Sequence, residues 1–339
     1  MKLLFGIVCS LILIGLPAQD GHFSNPMQTP TTFNPARTGS FNGCYRISSN
    51  YRNQWLLTGS PTNTFVIAFD EPMKIARSRN TRIGVGFHIL QDISAGSLLN
   101  HSDLKLNLAL HRFLDYDKKH RLSLGFHSGI LQTKVNINEL GFEEQFNSVS
   151  AIDLDRNNGE NFQTGNLFAL DHNIGLYYLG IIKKINFSSD FSVHHINTPH
   201  FSLFNKQTDS SIIRRKYNMT LNIEKELNSK SILTISNYNQ IQSGNRIIII
   251  GGSMIYKDLL INGDKNAVEL GLYYRYRDAF ILNFKTKIKE HSFNFSYDIT
   301  TSGFAKATRT FGALELGYTR NIQCKPQLPN QFTRPCLRL

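Results

Sequence analysis

From Val268 to Ile299 the chain alternates with a period of two. Val268, Leu270, Leu272, Tyr274 and Tyr276 fall on one side, and Glu269, Gly271, Tyr273, Arg275 and Arg277 on the other. Beyond a turn at Arg277-Asp278, Phe280, Leu282, Phe284 and Ile288 alternate with Ile281, Asn283, Lys285 and Lys287. Beyond Glu290, Phe293, Phe295, Tyr297 and Ile299 alternate with Ser292, Asn294, Ser296 and Asp298. Side chains of a strand point to opposite faces in turn, so this stretch reads as consecutive antiparallel strands with one apolar and one charged face. A soluble sandwich buries its apolar face against a second sheet. A membrane barrel turns its apolar face to lipid and its polar face to an aqueous lumen. Periodicity alone does not separate the two.

The rest of the chain favours the barrel. The same alternation recurs from Tyr45 to Trp55, around Phe65, Ile83, Leu104 and Leu122, and again from Ile174, Phe191, Tyr217, Ile232, Ile247 and Leu314. It is weakest over Ile232–Tyr238 and Ile247–Tyr256. That makes about 14 strands, an even number, with short connections near 115–119, 183–184 and 227–230 between long ones near 92–103, 136–172 and 197–214. The expected fold is an all-β transmembrane antiparallel barrel with short periplasmic turns and longer extracellular loops. Apart from the N-terminus, no run approaches the roughly 20 apolar residues that a spanning helix needs. Residues 1–18, with Lys2, an apolar run and Pro17-Ala18, read as a signal peptide. Residues 19–43 have no periodicity and form a periplasmic segment or a plug; the barrel spans 44–321, and 322–339 are a C-terminal tail. The expected location is therefore the outer membrane.

The formal net charge is +12, spread through turns and polar strand faces, with no nucleic-acid motif. Outer-membrane lipid and lipopolysaccharide, or an acidic partner domain, suit this charge better than nucleic acid. Past the leader, Cys44, Cys324 and Cys336 remain. A Cys324–Cys336 bridge would close a small loop worth about 3 kcal/mol in the chain-entropy picture; free thiols or a pairing with Cys44 are the alternatives. No cysteine or histidine spacing marks a zinc site, and no cofactor is implied. His127 and Ser128 are adjacent on a strand and so face opposite ways, which removes the simplest catalytic pair. An enzyme is not expected.

On the polar faces, Lys105, Arg275, Arg277, Asn283, Lys285, Asp298 and Glu315 are expected to line the lumen. Tyr residues near strand ends, such as Tyr51, Tyr274 and Tyr318, fit an aromatic girdle. Recognition concentrates on loops carried by a rigid scaffold. The partner-binding candidates are accordingly Trp55, Asp92, His101, Asp171, His195, Asn197, Arg214 and Arg215.

Several stretches together carry a resemblance: Gln19 to Ser24, Asn34-Pro35-Ala36, Asn50 to Trp55, Asp171 to Tyr178, His195 to Pro199, Leu272 to Asp278, Tyr297 to Ser302 and Gly312 to Tyr318. In that order the chain resembles the PorP/SprF family of outer-membrane proteins of the Bacteroidetes type IX secretion system. The resemblance implies a non-enzymatic barrel. It would bind and tether a secreted surface protein that carries a type B C-terminal sorting domain, of the gliding-adhesin kind, or assist its secretion with periplasmic components of the system. The residues alone also allow a porin-like diffusion channel for small solutes.

Overall fold

In the computed structural model, the described residues are 20–58, 60–75, 78, 80–147, 151–153, 157, 159, 165–202, 212–261 and 264–324. The leader at 1–18 and the tail beyond 324, with Cys336, lie outside them. The chain forms β1 (Tyr45–Gln54), β2 (Thr62–Lys74), β3 (Thr81–Ser94), β4 (Leu99–Phe113), β5 (His120–Val135), the short β6 (Phe146–Asn147) and β7 (Ala151–Ile152), and β8 (Asn166–Ile182). It continues with β9 (Ile185–His194), β10 (Lys216–Glu226), β11 (Ser231–Gln242), β12 (Asn245–Ile261), β13 (Asp264–Arg275), β14 (Ala279–Ile288), β15 (His291–Thr300) and β16 (Phe311–Ile322). All but β6 and β7 pair antiparallel in sequence order, and β1 closes on β16 to make a 14-stranded barrel. Among the described residues β6 and β7 pair only with each other, inside the long loop after β5.

Closure follows from the solvent. In hydrocarbon a free strand edge has no water to bond, so the seam must be as complete as any other pair. It runs without a break from Tyr45↔Ile322 to Gln54↔Ala313. Outward residues are the apolar ones of each alternation, such as Leu106, Leu108, Leu272 and Phe295, and they form the lipid-facing belt. Strands meet through short turns at the end where β1 starts and β16 finishes, here the terminal end. The long connections and the Ala305–Thr308 helical turn lie at the other, the loop end. The 276–278 turn is a short connection at the loop end, as the count of strands requires.

β11 and β12 show why their alternation reads weakly. Ile232, Tyr238, Ile247 and Ile249 are buried inside the barrel, so both faces of these strands carry apolar residues.

The cysteine pairing differs from the expected local bridge. Cys324 is bonded to Cys44, with their Cα atoms 4.9 Å apart. Cys44 immediately precedes β1 and Cys324 follows β16, so closing the seam brings these two together. The bond staples the seam at the terminal end, across 280 residues of sequence. Closing so long a loop is worth on the order of 5 kcal/mol in the chain-entropy picture. Cys44→Ser or Cys324→Ser should lower the temperature at which the folded band is lost in heat-modifiability gels, and reductant should do the same to the unmutated chain. Cys336→Ser should shift neither.

Candidate functional site

The lumen is occupied by the chain's own N-terminal stretch. Three prolines organise it: Pro26–Gln28, Pro30–Phe33 and Pro35–Arg37 are single helical turns, each with proline at its first position. There proline forfeits an N–H that a helix start would leave unbonded anyway. The Asn25 and Asn34 side chains accept from the Met27 and Ala36 amides, at 3.1 and 2.9 Å, and cap two of these turns. A run of isolated turns satisfies few of its own backbone groups, so the barrel wall must supply the rest.

The wall does so on opposite sides. Toward β1, β13, β15 and β16, the Ser24 hydroxyl donates to Asp298 at 2.6 Å and also meets Arg52. Arg52 pairs with Glu315 at 2.7 Å and with Asp298 at 3.3 Å, and Arg275 pairs with Asp298 at 2.7 Å. Across the lumen, the Phe33 carbonyl accepts from His194 at 2.9 Å, Ser192 at 3.0 Å and Asn218 at 3.3 Å. Arg37 grips Asp190 with two nitrogens, at 2.7 and 2.5 Å, and lies over the Tyr177 ring. Lower down, Asp70 accepts from the Gly39 amide at 2.6 Å and pairs with Arg46 at 2.7 Å. Close approach is built into the wall: a Cβ at Gly125 would overlap the backbone of Ala36, and one at Gly175 would overlap the Asn34 side chain.

At the loop end Asp20 is clamped. Its carboxylate meets Lys216 at 2.6 Å and His195 at 2.8 Å, its amide donates to Gln242 at 3.0 Å, and His195 is backed by Asp171 at 2.9 Å. Burial would raise the Asp20 carboxyl, but Lys216 and His195 hold it well below its ordinary value. Burial would lower the His195 imidazole, but Asp20 and Asp171 hold it above its ordinary value. Residues 20–43 therefore run from the loop end, down the lumen, to the terminal end where β1 begins.

The expected lumen residues divide. Lys105, Asn283, Asp298, Glu315 and Arg275 are buried inside, and Lys285 borders a luminal cavity. Arg277 does not line the lumen. It sits exposed in the 276–278 turn with its guanidinium over the Tyr276 ring, because the strand ends at Arg275 and the alternation stops with it.

The partner-binding candidates also divide. Asp171 and His195 are buried and engaged with Lys105 and Asp20, so they hold the segment and do not stand on an exposed loop surface. Asp92 and His101, on neighbouring strands near the loop end, bond Thr64 and Thr133. Asn197 braces its own loop by donating to the Leu170 carbonyl at 2.7 Å. Arg214 and Arg215 are exposed, and Trp55 at the rim packs on Phe304 with ring centroids 5.3 Å apart. Asp70, Asp190 and Asp20 are functional residues that the sequence reading does not single out. Asp190 carries one signal, a lone acid at an inward position in neutral sequence, whereas Asp70 adjoins Glu71 and Asp20 lies before the first strand.

A family description, type IX secretion system membrane protein PorP/SprF, matches residues 16–318. No curated protein matches the sequence. Among solved structures, the Ralstonia pickettii toluene transporter TbuX is similar with a TM-score of 0.50 at 11% identity, over 87% of this chain and 94% of that one. A Pseudomonas aeruginosa FadL homologue has a TM-score of 0.49 at 9% identity, over 86% and 93%. At such identity the first of these shares the outer-membrane barrel fold and nothing finer.

Arg52→Ala should cost about 3–5 kcal/mol of stability in denaturant titrations, because it takes the guanidinium from the buried Glu315 carboxylate, while Asp298 keeps Arg275. The clamp has a pH window. The contribution of Asp20, whose value is depressed on folding, is complete above about pH 4 and is lost as pH falls through its folded value. That of His195, whose value is raised, is complete below about pH 6.5 and is lost as pH rises through its folded value. A Cβ at Gly21 meets only ordinary contacts, the nearest at 3.4 Å, so Gly21→Cys in a Cys336→Ser background gives a site for a spin label. Its spectrum should be most immobile between those limits, and His195→Gln should abolish the alkaline change while leaving the acid one.

Proposed function

This chain belongs to the PorP/SprF family of type IX secretion system membrane proteins, and we propose that it is a closed barrel that tethers a secreted polypeptide at the cell surface. One observation carries the reading: residues 20–43 bridge opposite walls of the lumen. Ser24 joins the β1–β16 side, while Asp20, Phe33 and Arg37 join β8 to β11 and the loop beyond β9. A diffusion channel needs a clear lumen, and several of the charges that would line one, among them Asp190, Asp298 and Lys216, engage this segment. What the barrel then offers to other molecules is its two ends.

The loop end, taken as extracellular, carries the long connection after β5, the loop after β9 with Arg214 and Arg215, and the Trp55–Phe304 rim. A surface protein bearing a C-terminal sorting domain is the partner of choice there. The terminal end, taken as periplasmic, faces the secretion components.

Two measurements test this. In planar bilayers the intact chain should be almost silent, and removal of residues 20–34 should raise conductance about tenfold or more, since barrels only slightly larger hold open aqueous channels. High conductance of the intact chain would instead support the channel reading. In cells, deletion of residues 140–162 should release the secreted partner that otherwise co-purifies from detergent-solubilised outer membranes. Full retention of the partner would rule out that loop as the attachment site.

A further inference from the structure

The segment fills the lumen unevenly. Against β1, β15 and β16 it meets charged and amide side chains, but across the lumen Tyr238, Ile249 and Tyr273 point inward, against the polar-in rule of barrels. Phe33 covers the loopward part of this apolar strip. Its ring lies 5.1 Å from that of Tyr238 and packs with Ile247, Ile249 and Ile281, with Met27 beside it. Terminal to Met27 and Gln28 the strip is uncovered and borders a cavity of about 460 Å³. Leu179, Ile181 and Ile255 continue its apolar lining toward the short turns. The volume falls within the roughly 300–1,000 Å³ typical of ligand-holding clefts.

We propose that this cavity is a polypeptide-binding site, which takes a segment of another chain, entering from the terminal end. The luminal segment shows how this wall holds a polypeptide: an apolar side chain lies on the strip, and the Phe33 carbonyl accepts from neighbouring hydroxyl, amide and imidazole groups. The cavity repeats both elements. Thr220, Asn222, Thr234 and Ser236 stand beside the apolar lining, and the Thr234 hydroxyl is buried without a partner. Thr220 and Asn222 already donate to Asp190 and Ser188, but a lipid acyl chain would leave the Thr234 hydroxyl unbonded. A peptide bonds it. Glu224, Glu269 and Lys285 also line the cavity, while Arg37 is neutralised by Asp190. Two carboxylates to one ammonium favour a segment in which a basic residue adjoins an aromatic or aliphatic one. This site lies at the opposite end from the loop surface described above and does not depend on that surface.

The test places the photoreactive residue p-benzoylphenylalanine at Ser236 in the full-length protein and irradiates intact outer membranes. A protease-sensitive adduct is expected, with one recurrent attachment peptide that pairs a basic with an apolar residue by mass spectrometry. Thr234→Trp, which fills the cavity, should reduce it about tenfold. Should that variant fail to show the folded, heat-modifiable band, Ile255→Asp serves instead, keeping the space and spoiling the strip. Adducts of lipid or lipopolysaccharide mass only, no adduct, or a polypeptide adduct indifferent to both substitutions would overturn the site. Retention of the secreted partner is scored in the same cells. No adduct from the photoreactive protein without further substitution, with the partner retained, sinks the cavity site alone, and an adduct with the partner lost sinks the tether alone.

Discussion

The structure depends on one constraint: a backbone crossing hydrocarbon has nothing to bond but itself. That requirement forces the strands into a ring, which the β1–β16 seam completes. Closing the ring has a second consequence. It traps the polar faces of fourteen strands in a narrow lumen, where ionised groups such as Arg52, Asp70, Asp190 and Glu315 are removed from bulk water. An isolated charge in such a place is strongly disfavoured, so each needs a partner. The segment 20–43 joins that pairing, and closure of the wall and occupation of the lumen are two sides of one electrostatic problem.

The same logic links the two ends of the chain. Continuity with β1 fixes the segment where it enters the barrel, and the Cys44–Cys324 bond holds the seam at that point. At the far end the segment is held without a covalent bond, by ion pairs of Asp20 with His195 and Lys216 and by hydrogen bonds with Gln242. The covalent end is insensitive to pH and the ionic end is not. The middle is held by Arg37 on Asp190 and by the close fit at Gly125 and Gly175, and the segment leaves uncovered the apolar wall of the cavity beside β8–β13.

Much of this was legible in the sequence. Alternation in β13, β14 and β15 is clean because one face meets lipid and the other meets charge, and the number and order of strands follow from repeating it. The inward placement of Lys105, Asp298 and Glu315 follows from the same parity. Parity fails where a strand ends, which is why Arg277 points into solvent from a turn instead of into the lumen. It is blurred where the inner face is itself apolar, as at Tyr238 and Ile249, and that blur marks the strip bordering the cavity.

The sequence by itself determined the class of the fold, since a period of two repeated over strands of this number admits few architectures. It also determined which side chains face inward, because parity along a strand is a local property. The tertiary structure decided which of those inward groups meet. Asp20 and His195 are 175 residues apart, and Cys44 and Cys324 are 280 apart. Nothing local relates them, because ring closure and the path of residues 20–43 through the lumen bring them together, and both depend on contacts between parts of the chain that carry no shared sequence pattern.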